Sequence, residues 1–94
     1  MIYYQEFKNK ALEDPELKAA YDELQPEFDI IQALIDARTK KNMTQKELAE
    51  VTGISQSNIS KIENGSRNPS LAMLKKLAAG MGMRLRLEFE PIQQ

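Results

Sequence analysis

Two short segments with helical spacing, joined through a glycine, constrain this chain more than any other feature of its sequence. The second segment, 56–63, places Ile59 and Ile62 on one side, and the first, 45–51, also gathers its apolar residues on one side. Such spacing predicts two amphipathic helices that share a buried face. Because Gly53 accepts a positive φ, the connection can be a tight turn at which the two helices cross steeply.

Capping signals indicate where these two helices begin and end. Thr44 with Glu47 three residues later is the capping-box pattern, and Ser55 is a suitable N-cap for the second helix. Asn64-Gly65 closes the second helix. The residues of the first helix expected to face inward are Leu48, Ala49 and Val51.

Helical spacing continues on both sides of this pair. The further helices predicted from it cover residues 3–12, 15–24, 28–41 and 71–80, with Pro26 ending or kinking the second of them. We therefore predict an all-α fold with three regions. They are an N-terminal acidic helical arm (1–26), a helical domain (27–80) and a C-terminal strand and tail (81–94).

The hydrophobic period changes from helical to alternating after Gly82. Apolar residues at Met83, Leu85, Leu87 and Phe89 alternate with charges at Arg84, Arg86, Glu88 and Glu90. Alternation predicts a half-buried strand, and a lone strand needs a partner for its backbone groups. Antiparallel pairing of two copies about Leu87 would place Arg84 opposite Glu90 and Arg86 opposite Glu88, which favours a symmetric homodimer. The alternatives are pairing with another protein's sheet and folding back onto the chain's own helices.

The polar face of the second helix predicts contact with DNA. With Ile59 and Ile62 inward, the opposite side of this helix carries Gln56, Ser57, Ser60 and Lys61. Side chains at the start of such a helix reach base edges in the major groove, where Gln suits adenine, Lys suits guanine and Ser suits either. The predicted base contacts are Gln56, Ser57 and Lys61. Gln45 begins the first helix and can bond a phosphate. The alternative for these side chains is a solvated surface.

This segment resembles the helix-turn-helix of the Xre and phage-repressor family. The matching residues are Thr44-Gln45, Leu48-Ala49, Gly53-Ile54, Ser55-Gln56-Ser57-Asn58, Ile59, Ile62-Glu63, Gly65, Arg67, Pro69 and the Leu71/Leu74/Leu77 helix. The resemblance covers roughly 27–80 and implies a five-helix, lambda-repressor-like core in which Glu63 serves structure. The phosphate contacts expected with it are Gln45, Ser55, Asn58, Ser60, Asn64 and Arg67. For Ser55 the alternative is a helix cap alone, and for Ser60 a solvated position.

Both ends of the chain are similar to HigA-type antitoxins, through residues 13–21 (EDPELKAAY) and 83–91 (MRLRLEFEP). This resemblance implies a homodimer that binds operator DNA, represses its own operon and blocks a HigB-like mRNA-cleaving ribonuclease toxin. The side chains expected to contact the toxin are Tyr3, Tyr4, Phe7, Leu17 and Tyr21, with packing onto the chain's own core as the alternative. A stand-alone Xre-type regulator without a toxin partner remains open.

The composition argues against catalytic and metal-binding functions. The chain has no Cys and no His, which removes thiol nucleophiles and the usual zinc ligands. The carboxylates of Glu13, Asp14 and Glu16 suit a solvated first helical turn better than a metal site. We predict no enzyme activity, no cofactor, no metal and no small-molecule ligand. With no leader or membrane span evident, we expect a cytoplasmic protein.

Charge is distributed unevenly along the chain. Residues 1–37 carry three basic and nine acidic side chains, whereas residues 38–76 carry eight basic and three acidic ones. An acidic arm suits a basic protein partner, and a basic middle suits nucleic acid. The alternative is that the net charge of solvent-exposed helix faces varies along the chain by chance.

Overall fold

The computed structural model describes residues 13–92, and this range contains five helices. They are α1 (Pro15–Glu23), α2 (Gln25–Lys40), α3 (Gln45–Thr52), α4 (Gln56–Glu63) and α5 (Leu71–Gly80). The prediction of an all-helical protein is confirmed for this range, although the five-helix core was expected over 27–80 and only α2 to α5 lie there. One of the five, α1, belongs to the N-terminal arm. The helix predicted over residues 3–12 lies outside the described residues.

Side-chain caps set the start of α3 and α4. The Thr44 hydroxyl accepts from the Glu47 backbone N–H at 3.0 Å, and the Thr44 N–H donates to the Glu47 carboxylate at 2.9 Å. The Ser55 hydroxyl accepts from the Asn58 N–H at 3.1 Å. Gly53 between these helices has a φ of 76°, which is why glycine suits the turn. The predicted capping box, glycine turn and serine cap are all present.

The junction between α1 and α2 differs from the prediction. We expected the helix to begin near Phe28, but α2 already begins at Gln25. Pro26 lies in its first turn, where a helix needs no N–H from that residue. The rings of Tyr21 and Phe28 lie 5.0 Å apart between centroids and join α1 to α2.

The hydrophobic core lies where α2, α3, α4 and α5 meet. Its buried members are Leu34, Leu48, Ile54, Ile59, Ile62, Leu77 and Met81. The predicted inward faces are confirmed for Leu48, Ile59 and Ile62, whose side chains are fully buried. The prediction for Val51 is wrong, since this residue is 59% exposed. Leu48 is buried in the core and the half-buried Ala49 packs against it, as predicted, whereas Val51 lies at the edge of this face.

The predicted strand over 83–90 is wrong for the single chain, because residues 83–92 contain no strand. A strand exists only when a neighbour pairs with its backbone, and the described residues supply no second strand. The chain turns at Gly82 (φ 68°), where the Met83 N–H donates to the Ala78 carbonyl at 2.8 Å. Met83 and Leu85 are then half-buried, whereas Leu87 and Phe89 are exposed.

Candidate nucleic-acid interface

The outward side of α4 presents the predicted base contacts. Gln56, Ser57 and Lys61, here called the outer stripe, are all exposed, whereas Ile59 and Ile62 on the opposite side are fully buried. Burial of both isoleucines fixes the rotation of α4 about its axis, because turning the helix would expose them to water. The core therefore holds the outer stripe toward solvent.

The six predicted phosphate contacts fall into two groups. Ser55 and Arg67 are exposed, whereas Gln45, Asn58, Ser60 and Asn64 are half-buried. The Ser55 hydroxyl caps α4, which matches the alternative that it is a structural cap, although an exposed hydroxyl can also bond a phosphate.

Two asparagines in this set already bond within the protein. The Asn64 side-chain oxygen accepts from the Ser66 backbone N–H at 3.0 Å and so shapes the turn after α4. The Asn58 side-chain oxygen accepts from the Arg67 guanidinium at 2.6 Å. This second bond links the first turn of α4 to the following loop and leaves the Asn58 amide N–H groups as its donors toward a ligand.

An ion pair that the sequence analysis did not identify joins α2 to the C-terminal end of α4. Arg38 of α2 donates from Nε to Oε2 of Glu63 at 2.7 Å and from Nη2 to Oε1 at 2.8 Å. The side chains retain only 18% and 7% exposure. The hydrogen bonding that Arg38 donates to the Glu63 carboxylate is the main cause that raises the pKa of Arg38 above its ordinary value. The only sequence signal was that Arg38 continued the apolar period of its helix.

Glu63 also reaches the first helix of the pair. The Gln45 side-chain amide donates to Oε1 of Glu63 at 3.1 Å. Arg38 additionally donates to the backbone carbonyl of Met43 at 2.9 Å, just before the Thr44 cap. One carboxylate at the end of α4 therefore contacts both α2 and the first residue of α3.

The predicted toxin contacts are only partly visible. Tyr3, Tyr4 and Phe7 lie outside the described residues. Leu17 and Tyr21 are half-buried, and Tyr21 packs against Phe28. The alternative of packing within the chain therefore applies to Tyr21 in part. No helix among residues 13–92 is long and apolar enough to cross a membrane.

Comparison with known proteins gives a family match that covers both α3 and α4. Residues 34–87 match the helix-turn-helix family. An uncharacterised helix-turn-helix transcriptional regulator of Haemophilus influenzae is 39% identical over 56 residues, which are 60% of this chain and 57% of that protein. The regulator RghRB of Bacillus subtilis is 49% identical over 49 residues, 51% of this chain and 35% of its own length. The chain thus matches little more than half of the first relative and about a third of the second.

Two control proteins are matched over more of their length. Control protein C.MunI of a Mycoplasma species is 35% identical over 57 residues, which are 61% of this chain and 77% of that protein. The crystal structure of the restriction-modification controller protein C.AhdI from Aeromonas hydrophila superposes with a TM-score of 0.60 at 32% identity. That match covers 64% of this chain and 91% of the controller protein.

Proposed function

This chain belongs to the helix-turn-helix family, and we propose that it is a transcriptional regulator that inserts α4 into the major groove of operator DNA. The observation that carries the proposal is the fixed rotation of α4, with Ile59 and Ile62 fully buried and the outer stripe exposed. The related H. influenzae and B. subtilis proteins named as transcriptional regulators support the same role.

The outer stripe supplies the base contacts in this proposal. Gln56 bonds adenine through its amide, Lys61 donates to guanine, and Ser57 bonds either base. Backbone phosphates are held by the surrounding polar groups, which set register without reading sequence. These groups are Gln45, Ser55, Asn58, Ser60, Asn64 and Arg67.

A binding titration with the DNA upstream of this chain's own coding sequence tests the proposal. Gln56→Ala should weaken binding by about 1–3 kcal/mol and relax base preference at one position. Gln32→Ala makes the same chemical change on α2 and should leave affinity unchanged. An equal loss on operator and unrelated DNA for Gln56→Ala would contradict base recognition, and no binding by the wild type would remove the proposal altogether.

We further propose that the C-terminal segment 83–90 pairs with the same segment of a second copy. Pairing about Leu87 would supply the missing backbone partner and place opposite charges across the dyad. The exposure of Leu87 at 68% and of Phe89 at its full extent leaves apolar surface for a second chain to cover. A homodimer would also present two copies of α4 to a two-fold symmetric operator.

At the finer level, we propose that the chain is a HigA-type antitoxin whose arm binds a HigB-like ribonuclease. Support comes from the acidic sequence of the arm, which suits a basic partner. Deleting residues 1–24 should spare DNA binding and weaken inhibition of the toxin. Inhibition that survives the deletion intact would place the toxin contact elsewhere.

The alternative is a regulator without a toxin, which the likeness to C.MunI and C.AhdI favours. The neighbouring reading frame separates the two roles. A small basic protein encoded beside this chain, which co-purifies with it, supports the antitoxin. The absence of such a partner from a native pull-down supports the stand-alone regulator.

A further inference from the structure

The carboxylate of Glu63 is shared by two donors from different parts of the fold. Oε1 accepts both from Arg38 Nη2 at 2.8 Å and from Gln45 Nε2 at 3.1 Å, while Oε2 accepts from Arg38 Nε at 2.7 Å. Arg38 therefore binds the carboxylate in a bidentate manner, which restricts rotation of the Glu63 carboxylate. With Glu63 only 7% exposed, water is nearly excluded as a competing partner.

This arrangement matters for Gln45 because a long amide side chain is mobile in water. Ordering such a side chain at the moment of binding costs conformational entropy and lowers affinity. The bond to Glu63 uses one of the two amide hydrogens of Gln45 and leaves the other for an incoming acceptor. Gln45 is also the first residue of α3, where unpaired backbone N–H groups and the helix dipole favour an anion.

We propose that Arg38 and Glu63 are positioning residues that hold the Gln45 amide ready for a DNA phosphate before the duplex arrives. The inference rests on the proposed DNA-binding function and adds a mechanism to it. Arg38 fixes Glu63, Glu63 fixes Gln45, and Gln45 makes the contact. The Arg38–Glu63 ion pair thus affects DNA affinity indirectly, because Gln45 makes the phosphate contact and the ion pair only orients Gln45.

A double-mutant cycle on operator DNA tests this coupling. The first change is Gln45→Ala, and the second is the paired substitution Arg38→Met with Glu63→Leu. The paired substitution keeps the net charge, so long-range attraction to DNA is preserved. It also replaces a largely buried ion pair by apolar side chains, a change that proteins often tolerate. Thermal unfolding verifies that each variant is folded.

In the wild-type background, Gln45→Ala should lower operator affinity about tenfold, as expected for one lost hydrogen bond to a charged group. In the paired background the same change should cost about threefold or less. Operators carrying a single neutral methylphosphonate give a second readout. Neutralising one particular phosphate should lower the affinity of the wild type but have little effect on Gln45→Ala. The same phosphate should have little effect on the paired variant. General loosening of the fold would not act on one phosphate alone.

Equal cost of Gln45→Ala in both backgrounds would overturn the coupling while leaving DNA binding standing. No cost in the wild type would overturn it too, since Gln45 would then not contact DNA. A wild-type protein that does not bind the operator would remove the proposed function itself. Should the paired variant unfold, Glu63→Asp replaces it, because this change keeps the charge and withdraws the carboxylate from Gln45 by one methylene.

Discussion

Gly80 of α5 lies so close to Thr52 of α3 that a Cβ atom on the glycine would overlap the Thr52 methyl group Cγ2. The methyl group is not free to rotate away. The Thr52 hydroxyl donates to the Leu48 carbonyl at 2.7 Å and accepts from the Ile54 N–H at 3.2 Å. These two bonds set the side-chain rotamer, so the missing side chain at Gly80 is what lets α5 approach α3.

We therefore expect Gly80→Ala to destabilise the fold, although alanine is the better helix former. Overpacking of this kind costs roughly 1–3 kcal/mol, against a gain of at most about 1 kcal/mol from helix propensity. The free energy of unfolding from urea titration measures the balance.

Thr52→Ser supplies the matched control, because it removes only Cγ2 and keeps both hydroxyl bonds. The double variant Gly80→Ala with Thr52→Ser should recover stability relative to Gly80→Ala alone. A double variant that is as unstable as the two single changes added together would show that the methyl group is not the obstacle.

Lys61 on the outer stripe provides a prediction about base recognition. Lys61→Met should lower affinity for the operator by about 1–3 kcal/mol and relax the preference for one guanine. Lys76→Met removes an exposed lysine from α5 and should have little effect. Binding is measured over a series of salt concentrations. A uniform loss on all sequences with a salt slope shallower by about 1 would instead assign Lys61 to a phosphate.

How much of this could be predicted from the sequence depended on the range of each interaction. The outward face of α4 was predictable, because Ile59 and Ile62 define its buried side within a single turn. The Arg38–Glu63 pair was not, since its partners are 25 residues apart and no local pattern couples them. Val51 failed because a one-dimensional period does not say how far the neighbouring helices extend.

The tail shows a different limit. Alternation after Gly82 describes which residues would share a face of an extended chain, and it carries no information on where a pairing strand comes from. The prediction took the pairing strand from a second copy of the chain. The single chain has no such neighbour, and its residues 83–92 contain no strand. The same lack of a local signal applies to Gln45, whose bond to Glu63 spans 18 residues.

The capping box predicts a specific pH dependence. The hydrogen bond that Glu47 accepts from the Thr44 backbone N–H is the main cause that lowers the pKa of Glu47. Because this carboxyl is harder to protonate in the folded chain, its stabilising effect is full above its ordinary pKa and is lost as the pH falls through the lowered value. The stability gap between wild type and Glu47→Gln should therefore be widest near neutral pH and shrink on acidification.

Urea unfolding at a series of pH values measures that gap. Glu50→Gln removes a carboxylate from the same helix without touching the cap, and so controls for the change in net charge. Identical pH profiles for the two variants would mean that the capping bond is not the source of the effect.

Charge exchange in the tail tests the proposed homodimer. Pairing about Leu87 places Arg86 of each copy opposite Glu88 of the other, so Arg86→Glu would set two pairs of like charges across the dyad. Dimerisation should weaken, and the double variant Arg86→Glu with Glu88→Arg should restore it. Arg86 also pairs with Glu88 within its own chain, and the double variant restores that pair as well. Sedimentation measures association directly, and a dimer equally stable in the wild type and both variants would rule out this register.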